Sequence, residues 1–208
     1  MQIVDKRRIL SRIRDRHPVL LEIGCGNNKR TNEAIGIDIL DYDCVDIVGD
    51  AVDVMKEIPD DTVDGVSSYH FLEHADNLDL LLGEVARVMR VAGLFLVVVP
   101  HFSNPYFYSD PTHKNFFGLY TFSYFAHDRI LRRKVPHCKA FPFRLVDIDL
   151  RFKSSPPFVV RHGMKRFLEL FFNSCRYMQE FYEENLCYIF PCYEIKYVLE
   201  KISPVPNE

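Results

Sequence analysis

Apolar and polar positions follow two rhythms along this chain. Short apolar runs stand at "VLLEIG" (19–24), "AIGIDIL" (34–40), "DIVGDA" (46–51), "VDGVSSYHF" (63–71) and "LFLVVVP" (94–100). Runs this short, rich in β-branched residues and bounded by Gly, Asp or Pro, predict strands buried on both faces. The stretch "DNLDLLLGEVARVMRVAG" (76–93) is spaced differently. Leu78, Leu81, Leu82, Val85, Val88 and Met89 share one helical face, with Asp76 or Asn77 as cap and Gly93 as terminator. Strands alternating with helical stretches over 18–100 predict a parallel sheet with covered faces and right-handed crossovers.

The flanks read otherwise. Ile3, Val4, Ile9, Leu10 and Ile13 among six basic residues predict a basic amphipathic helix over 1–17, closed by Pro18. In the second half, 140–155 and 193–202 alternate with period two, and 162–190 is largely helical. Two alternating strands separated by helices predict an antiparallel pair at one edge of the sheet. No repeat, linker or low-complexity stretch divides the chain, so all 208 residues are expected to form one domain.

Composition narrows the class. An apolar share of 48% supports one sizeable core, and a net charge of -3 gives no global attraction to nucleic acid or anionic lipid. Residues 38–64 nonetheless hold ten carboxylates against the single Lys56. The six cysteines form no C-x-x-C pair and no secretory leader precedes them, so reduced thiols and a cytoplasmic location are expected. The longest apolar run, "LFLVVV", is too short to span a bilayer.

The candidate chemistry starts at "LEIGCGNNKRTNEAIGIDI" (21–39). Gly24 and Gly26 allow a sharp turn and close approach of a ligand to the backbone. A third glycine, which a pyrophosphate-binding turn places three residues later, is replaced by Lys29. Residues 27–34 are also too few for a full crossover helix, so a pyrophosphate is disfavoured. Asp38, at the end of the next strand, is placed to accept both hydroxyls of a ribose, and Asp50 to take an adenine amino group. The pattern suits a nucleoside with a small charged tail.

In this order and spacing "LEIGCG", "GIDI", "GDA" and "VDGVSSYHFLEH" resemble the class I S-adenosylmethionine-dependent methyltransferases, most of all the small type-11 group with a shortened first crossover. The likeness covers about residues 18–128 and extends to "VPHFSNPYFYSDPTHKNFFGLYTFSYF". It implies a Rossmann-like seven-stranded sheet, mostly parallel with the last two strands antiparallel. An aromatic-rich insertion would follow strand five, and a helical insertion would precede the last strand. S-adenosylmethionine is the implied cofactor. Glu22, Gly24, Cys25 and Gly26 would frame its methionine and sulfonium, Asp38 the ribose and Ile39 the adenine face. Asp50 and Ala51 would read the adenine edge, and Ser68, Tyr69 and His70 would line the floor. The chain departs from the group in its truncated 27–34 connection and in Val91-Ala92-Gly93-Leu94, where Lys-Pro-Gly-Gly is common.

The segment 101–139 is the expected lid or acceptor insertion. Ten aromatics fill positions 102–125, either as the segment's own small core or as acceptor-pocket walls that also favour a sulfonium. An acceptor hydroxyl or amine needs a proton acceptor, and His101, Asp110 and His113 are the candidates. Their spacing matches no structural zinc pattern, and no metal is expected. Glu73-His74 reads as packing for the following helix. The basic residues at 1–17 and "RILRRK" (129–134) form either a solvated face or a patch for an anionic partner.

The implied function is methyl transfer to a small-molecule, sugar or lipid-linked acceptor, without nucleic acid. The rivals are a non-catalytic cofactor-binding scaffold and a nicotinamide-dependent oxidoreductase. The aromatic stretch 173–193 is either a homodimer surface or a pocket cover.

Overall fold

Apolar runs become strands where both faces can be covered. The computed structural model describes residues 2–135, 141–154 and 157–203. Its strands are β1 (Val4–Asp5), β2 (Leu20–Ile23), β3 (Ile35–Asp38), β4 (Ile47–Val48), β5 (Val63–Tyr69), β6 (Met89–Pro100), β7 (His127–Asp128), β8 (Phe143–Arg151) and β9 (Glu194–Lys201). The α-helices are α1 (Ala51–Lys56), α2 (Leu78–Val88), α3 (Val159–Phe172) and α4 (Arg176–Asn185). Cys138 and the expected segment ends at 136–140 and 155–156 lie outside the described residues.

Among the described residues all nine strands join one sheet, in the order β1-β4-β3-β2-β5-β6-β9-β8-β7. The central pairs β3/β2, β2/β5 and β5/β6 are parallel, and β9 runs against both β6 and β8. This is the mostly parallel sheet with an antiparallel final pair that the pattern predicts. The two strands beyond the expected seven are β1 and β7, each two residues long, at the sheet's edges.

Helix α2 buries Leu81, Leu82, Val85, Ala86 and Val88, and the Asn77 side chain caps it by accepting the Leu80 amide at 2.9 Å. That cap is worth about 1 kcal/mol. Arg87 ties α2 to α1, donating to the carbonyls of Met55 (2.6 Å) and Ile58 (2.9 Å).

Two expectations are corrected. Residues 1–17 are not one helix: Val4–Asp5 pairs antiparallel with β4, and Leu10–Asp15 is a 3-10 turn. The Asp5 carboxylate accepts the amides of Ile9 and Leu10, both at 2.8 Å. That contact starts the turn afresh; Ile9 and Ile13 are buried in the core, and Ile3 and Leu10 pack against it half-buried. Helix α2 also stops at Val88, well short of Gly93. Arg90 draws the chain beside β5 by pairing with Asp64 at 2.5 Å, and Ala92 adopts φ +68°. Residues 90–93 bulge out between the pairings Val63↔Met89 and Gly65↔Leu94.

No crossover helix stands between β2 and β3. The buried Glu22 replaces it, its carboxylate accepting the amides of Arg30 (2.8 Å) and Thr31 (3.0 Å). Lys29 adds bonds to the Ala34 carbonyl (2.9 Å) and to Asp46 (2.7 Å). Four charge-assisted contacts of this kind hold a loop too short to fold back as a helix.

Candidate functional site

The turn after β2 follows from two glycines with positive φ, Gly24 at +65° and Gly26 at +56°. A Cβ at Gly24 would sit 2.3 Å from Cγ of Phe71, so the position needs glycine for space as well as conformation. Gly26 has open space around it, and its requirement is conformational. The amides of Gly24 and Cys25 both donate to the Ile37 carbonyl, at 2.9 and 3.3 Å. Asp38 completes the arrangement. One of its oxygens accepts the Gly26 amide at 2.7 Å and the other the Leu40 amide at 2.9 Å.

Beside this turn lies a cleft of about 670 Å³, within the range of small-molecule sites. Gly24, Asp38, Ile39, Asp50 and Ala51 line it. Ile39 and Leu40 are more than half exposed and give it an apolar wall. The Asp50 side chain caps α1, one oxygen accepting the amides of Val52 (2.9 Å) and Asp53 (3.1 Å). Its second oxygen has no such duty there.

The remaining sequence candidates lie outside that lining among the described residues. Glu22 holds the 30–31 backbone, as above. Cys25 is packed against Gly36, and burial pushes its thiol up to about 12. Ser68 is fully buried on β5 with no partner for its hydroxyl. The Arg30 guanidinium stands 5.5 Å from the Tyr69 ring centroid. His70, at φ +53°, sits between Glu194 (3.3 Å) and Glu73 (3.5 Å). Those carboxylates, Glu194 foremost, lift its pKa to about 9. At neutral pH it is an imidazolium and a poor proton acceptor.

His101 is corrected as a catalytic candidate. It is fully buried at the end of β6, and its Nδ1 accepts the Ser103 amide at 3.1 Å. The ring proton therefore sits on Nε2, which donates to Glu183 of α4 at 3.1 Å. Both nitrogens are committed to holding the aromatic segment on α4. Asp110 and His113 lie nearer the cleft. The His113 Nε2 is 3.7 Å from Asp110, and the Nδ1 of His113 donates to the Phe107 carbonyl at 2.8 Å. Within the aromatic segment Phe107, Phe117 and Phe122 are buried as a small core, whereas Tyr106, Tyr108 and Phe116 are exposed and none of the six lines the cleft.

His74, expected to pack the following helix, lines the cleft as well, and so does Thr112, which the sequence did not single out. The "LEH" spacing carried no sign that Thr112 would meet His74 across 38 residues, at 2.9 Å.

Residues 21–97 match the family model for a methyltransferase domain of type 11. No curated protein sequence matches the chain significantly. In fold the chain resembles an S-adenosylmethionine-dependent methyltransferase from Archaeoglobus fulgidus. The TM-score is 0.59 and the identity 22%, over 94% of this chain and 90% of that one. YcgJ from Bacillus subtilis aligns with a TM-score of 0.50 and 16% identity, over 94% and 98% of the two chains. The phosphoethanolamine N-methyltransferase 2 of Haemonchus contortus, solved with S-adenosyl-L-methionine, aligns with a TM-score of 0.50 and 14% identity. That match covers 93% of this chain and 51% of that one.

The cleft suits the S-adenosylmethionine that the resemblance implies, on its own evidence. The Gly24 turn leaves no side chain in the way, Asp38 is pre-oriented with lone pairs to spare, and apolar Ile39 and Leu40 face open space. Among the described residues no helix is long and apolar enough to cross a membrane.

Proposed function

We propose that this chain transfers the methyl group of S-adenosylmethionine to a small-molecule, sugar or lipid-linked acceptor. The observation that carries the reading is the meeting of Gly24, Asp38, Ile39, Asp50 and Ala51, from three separate strand ends, in one cleft. Asp38 would accept the ribose hydroxyls, and Ile39 with Leu40 would cover the adenine. The free oxygen of Asp50 and the Ala51 backbone would read the adenine edge. The bound cofactor supplies an electrophilic methyl group on a sulfonium.

The chain's own contribution is alignment and exclusion of water, which can supply several kcal/mol to an in-line displacement. The Phe71 ring in the cleft lining would add cation–π attraction to a sulfonium beside it. Where the acceptor carries a proton, its removal belongs at the cleft rim, where His74, Asp110, Thr112 and His113 gather. His101 has no part in it.

Calorimetric titration with S-adenosylhomocysteine, with NAD in parallel, tests this reading on the wild type and on Asp38→Ala. Micromolar binding of the first ligand alone, weakened at least tenfold in the variant, is expected. Binding of NAD instead would turn the reading to an oxidoreductase, and binding of neither would remove it. A cofactor-binding protein with no turnover over a panel of hydroxyl and amine acceptors would be the scaffold alternative.

A further inference from the structure

Three donor groups from two parts of the fold converge at the cleft rim. Glu73 and His74 belong to the 3-10 turn Leu72–His74 that follows β5, and His113 to the aromatic segment. One ligand-type atom from each lies within 4.8 Å of the others. Glu73 stands out. It is fully buried, and neither carboxylate oxygen receives a hydrogen bond. The His70 imidazolium stands 3.5 Å from it and is shared with Glu194 at 3.3 Å. A buried carboxylate whose charge is offset only by a cation shared with a second carboxylate, and which receives no hydrogen bond, gains from a further cation bound against it.

The two imidazoles are presented in the manner of ligands. The Thr112 hydroxyl donates to Asp110 at 2.6 Å, so its oxygen is left to accept Nδ1–H of His74 at 2.9 Å. The Phe107 carbonyl can only accept, so Nδ1 of His113 is the donor there. In each neutral ring Nε2 is then the bare nitrogen. Metal-binding histidines are oriented by this kind of outward N–H bond to an oxygen.

We propose that Glu73, His74 and His113 bind a divalent transition-metal ion, with zinc as the test case. Two imidazoles and one carboxylate are the donor set of sites that keep a further coordination position open. Bonds of about 2.0–2.1 Å hold tetrahedral donors about 3.3 Å apart, so loading draws these three together by roughly 1 Å or more. Because the set straddles the core and the aromatic segment, the ion fastens that segment at the cleft wall formed by His74 and Thr112. The open position takes water or an acceptor oxygen, whose proton a bound cation makes easier to remove. That last role rests on the methyl-transfer reading; ion binding does not.

The test uses the full chain, stripped with a chelator and titrated with zinc chloride by calorimetry. Metal content after dialysis and the visible spectrum of the cobalt(II) form accompany it. His113→Asn and His74→Asn keep a donor near the Nδ1 position and lack Nε2. About one zinc per chain is expected, bound at least tenfold more weakly by each variant, with a tetrahedral cobalt spectrum in the wild type alone. Substoichiometric zinc in the wild type, or unchanged affinity in both variants, overturns the proposal. S-adenosylhomocysteine titrations on the same samples separate the two readings. Zinc binding without cofactor binding would sink methyl transfer alone, and cofactor binding without zinc would sink the ion site alone.

Discussion

The Gly26 amide donates to the Asp38 carboxylate at 2.7 Å, so the end of β3 holds the turn that follows β2. One side chain thereby shapes the glycine turn and faces the cleft. Asp38→Asn keeps the size but loses the charge-assisted bond, which is worth about 1.5–3 kcal/mol. Its affinity for S-adenosylhomocysteine is expected to fall by roughly ten- to a hundredfold, read by calorimetry. A change under twofold would remove Asp38 from the site.

The two glycines should differ when replaced. Gly26→Ala meets only the conformational cost of a left-handed backbone, about 1–2 kcal/mol. Gly24→Ala adds a clash with the Phe71 ring, and its loss of stability in urea unfolding should exceed that of Gly26→Ala. Adding Phe71→Ala to Gly24→Ala should recover part of the difference, which a double-mutant cycle measures.

His70 and Glu194 predict a pH window. The His70 pKa is raised from 6.5 to about 9, so its contribution is complete below about 6.5 and is lost as pH climbs through 9. Burial alone would raise Glu194, but the His70 and Lys153 contacts outweigh it and hold it at about 2, down from 4.5. Its contribution is complete above about 4.5 and is lost as pH falls through 2. Both contribute fully only between about 4.5 and 6.5. Urea midpoints of the wild type should decline from pH 7 to 9 more steeply than those of His70→Gln. Equal slopes would contradict the assignment.

His101 predicts a stability effect without a cofactor effect. His101→Leu leaves the Ser103 amide without its acceptor and Glu183 with the Leu119 amide alone, at a cost of about 2–3 kcal/mol. For a chain of this length the midpoint of thermal unfolding should fall by roughly 4–12 °C. Affinity for S-adenosylhomocysteine should stay within about twofold, and a large loss would return His101 to the site.

The thiols should react in an order set by burial. Cys175 is exposed, whereas Cys25 and Cys192 are buried and burial pushes both thiols up. Timed alkylation followed by peptide mass spectrometry should label Cys175 well before the other two.

What the sequence determined by itself is local. The apolar runs of β2, β3 and β5, the Gly24/Gly26 turn, the Asn77 cap and the positions of Asp38 and Asp50 at strand ends all follow from side-chain periodicity and backbone preference within a few residues. Such preferences act without knowledge of the rest of the chain. The apolar pattern near the N-terminus reads as a helix and is not one, because β1 exists only by pairing with β4, more than forty residues on. The end of α2 likewise depended on Arg90 finding Asp64. Tertiary structure alone decided the histidines. His101 became a buried strut because Glu183 arrives from α4, and His74 joined His113 because the aromatic segment folds back over the turn after β5. A histidine's chemistry depends on which groups its two nitrogens meet, and those partners come from parts of the chain that no local pattern connects.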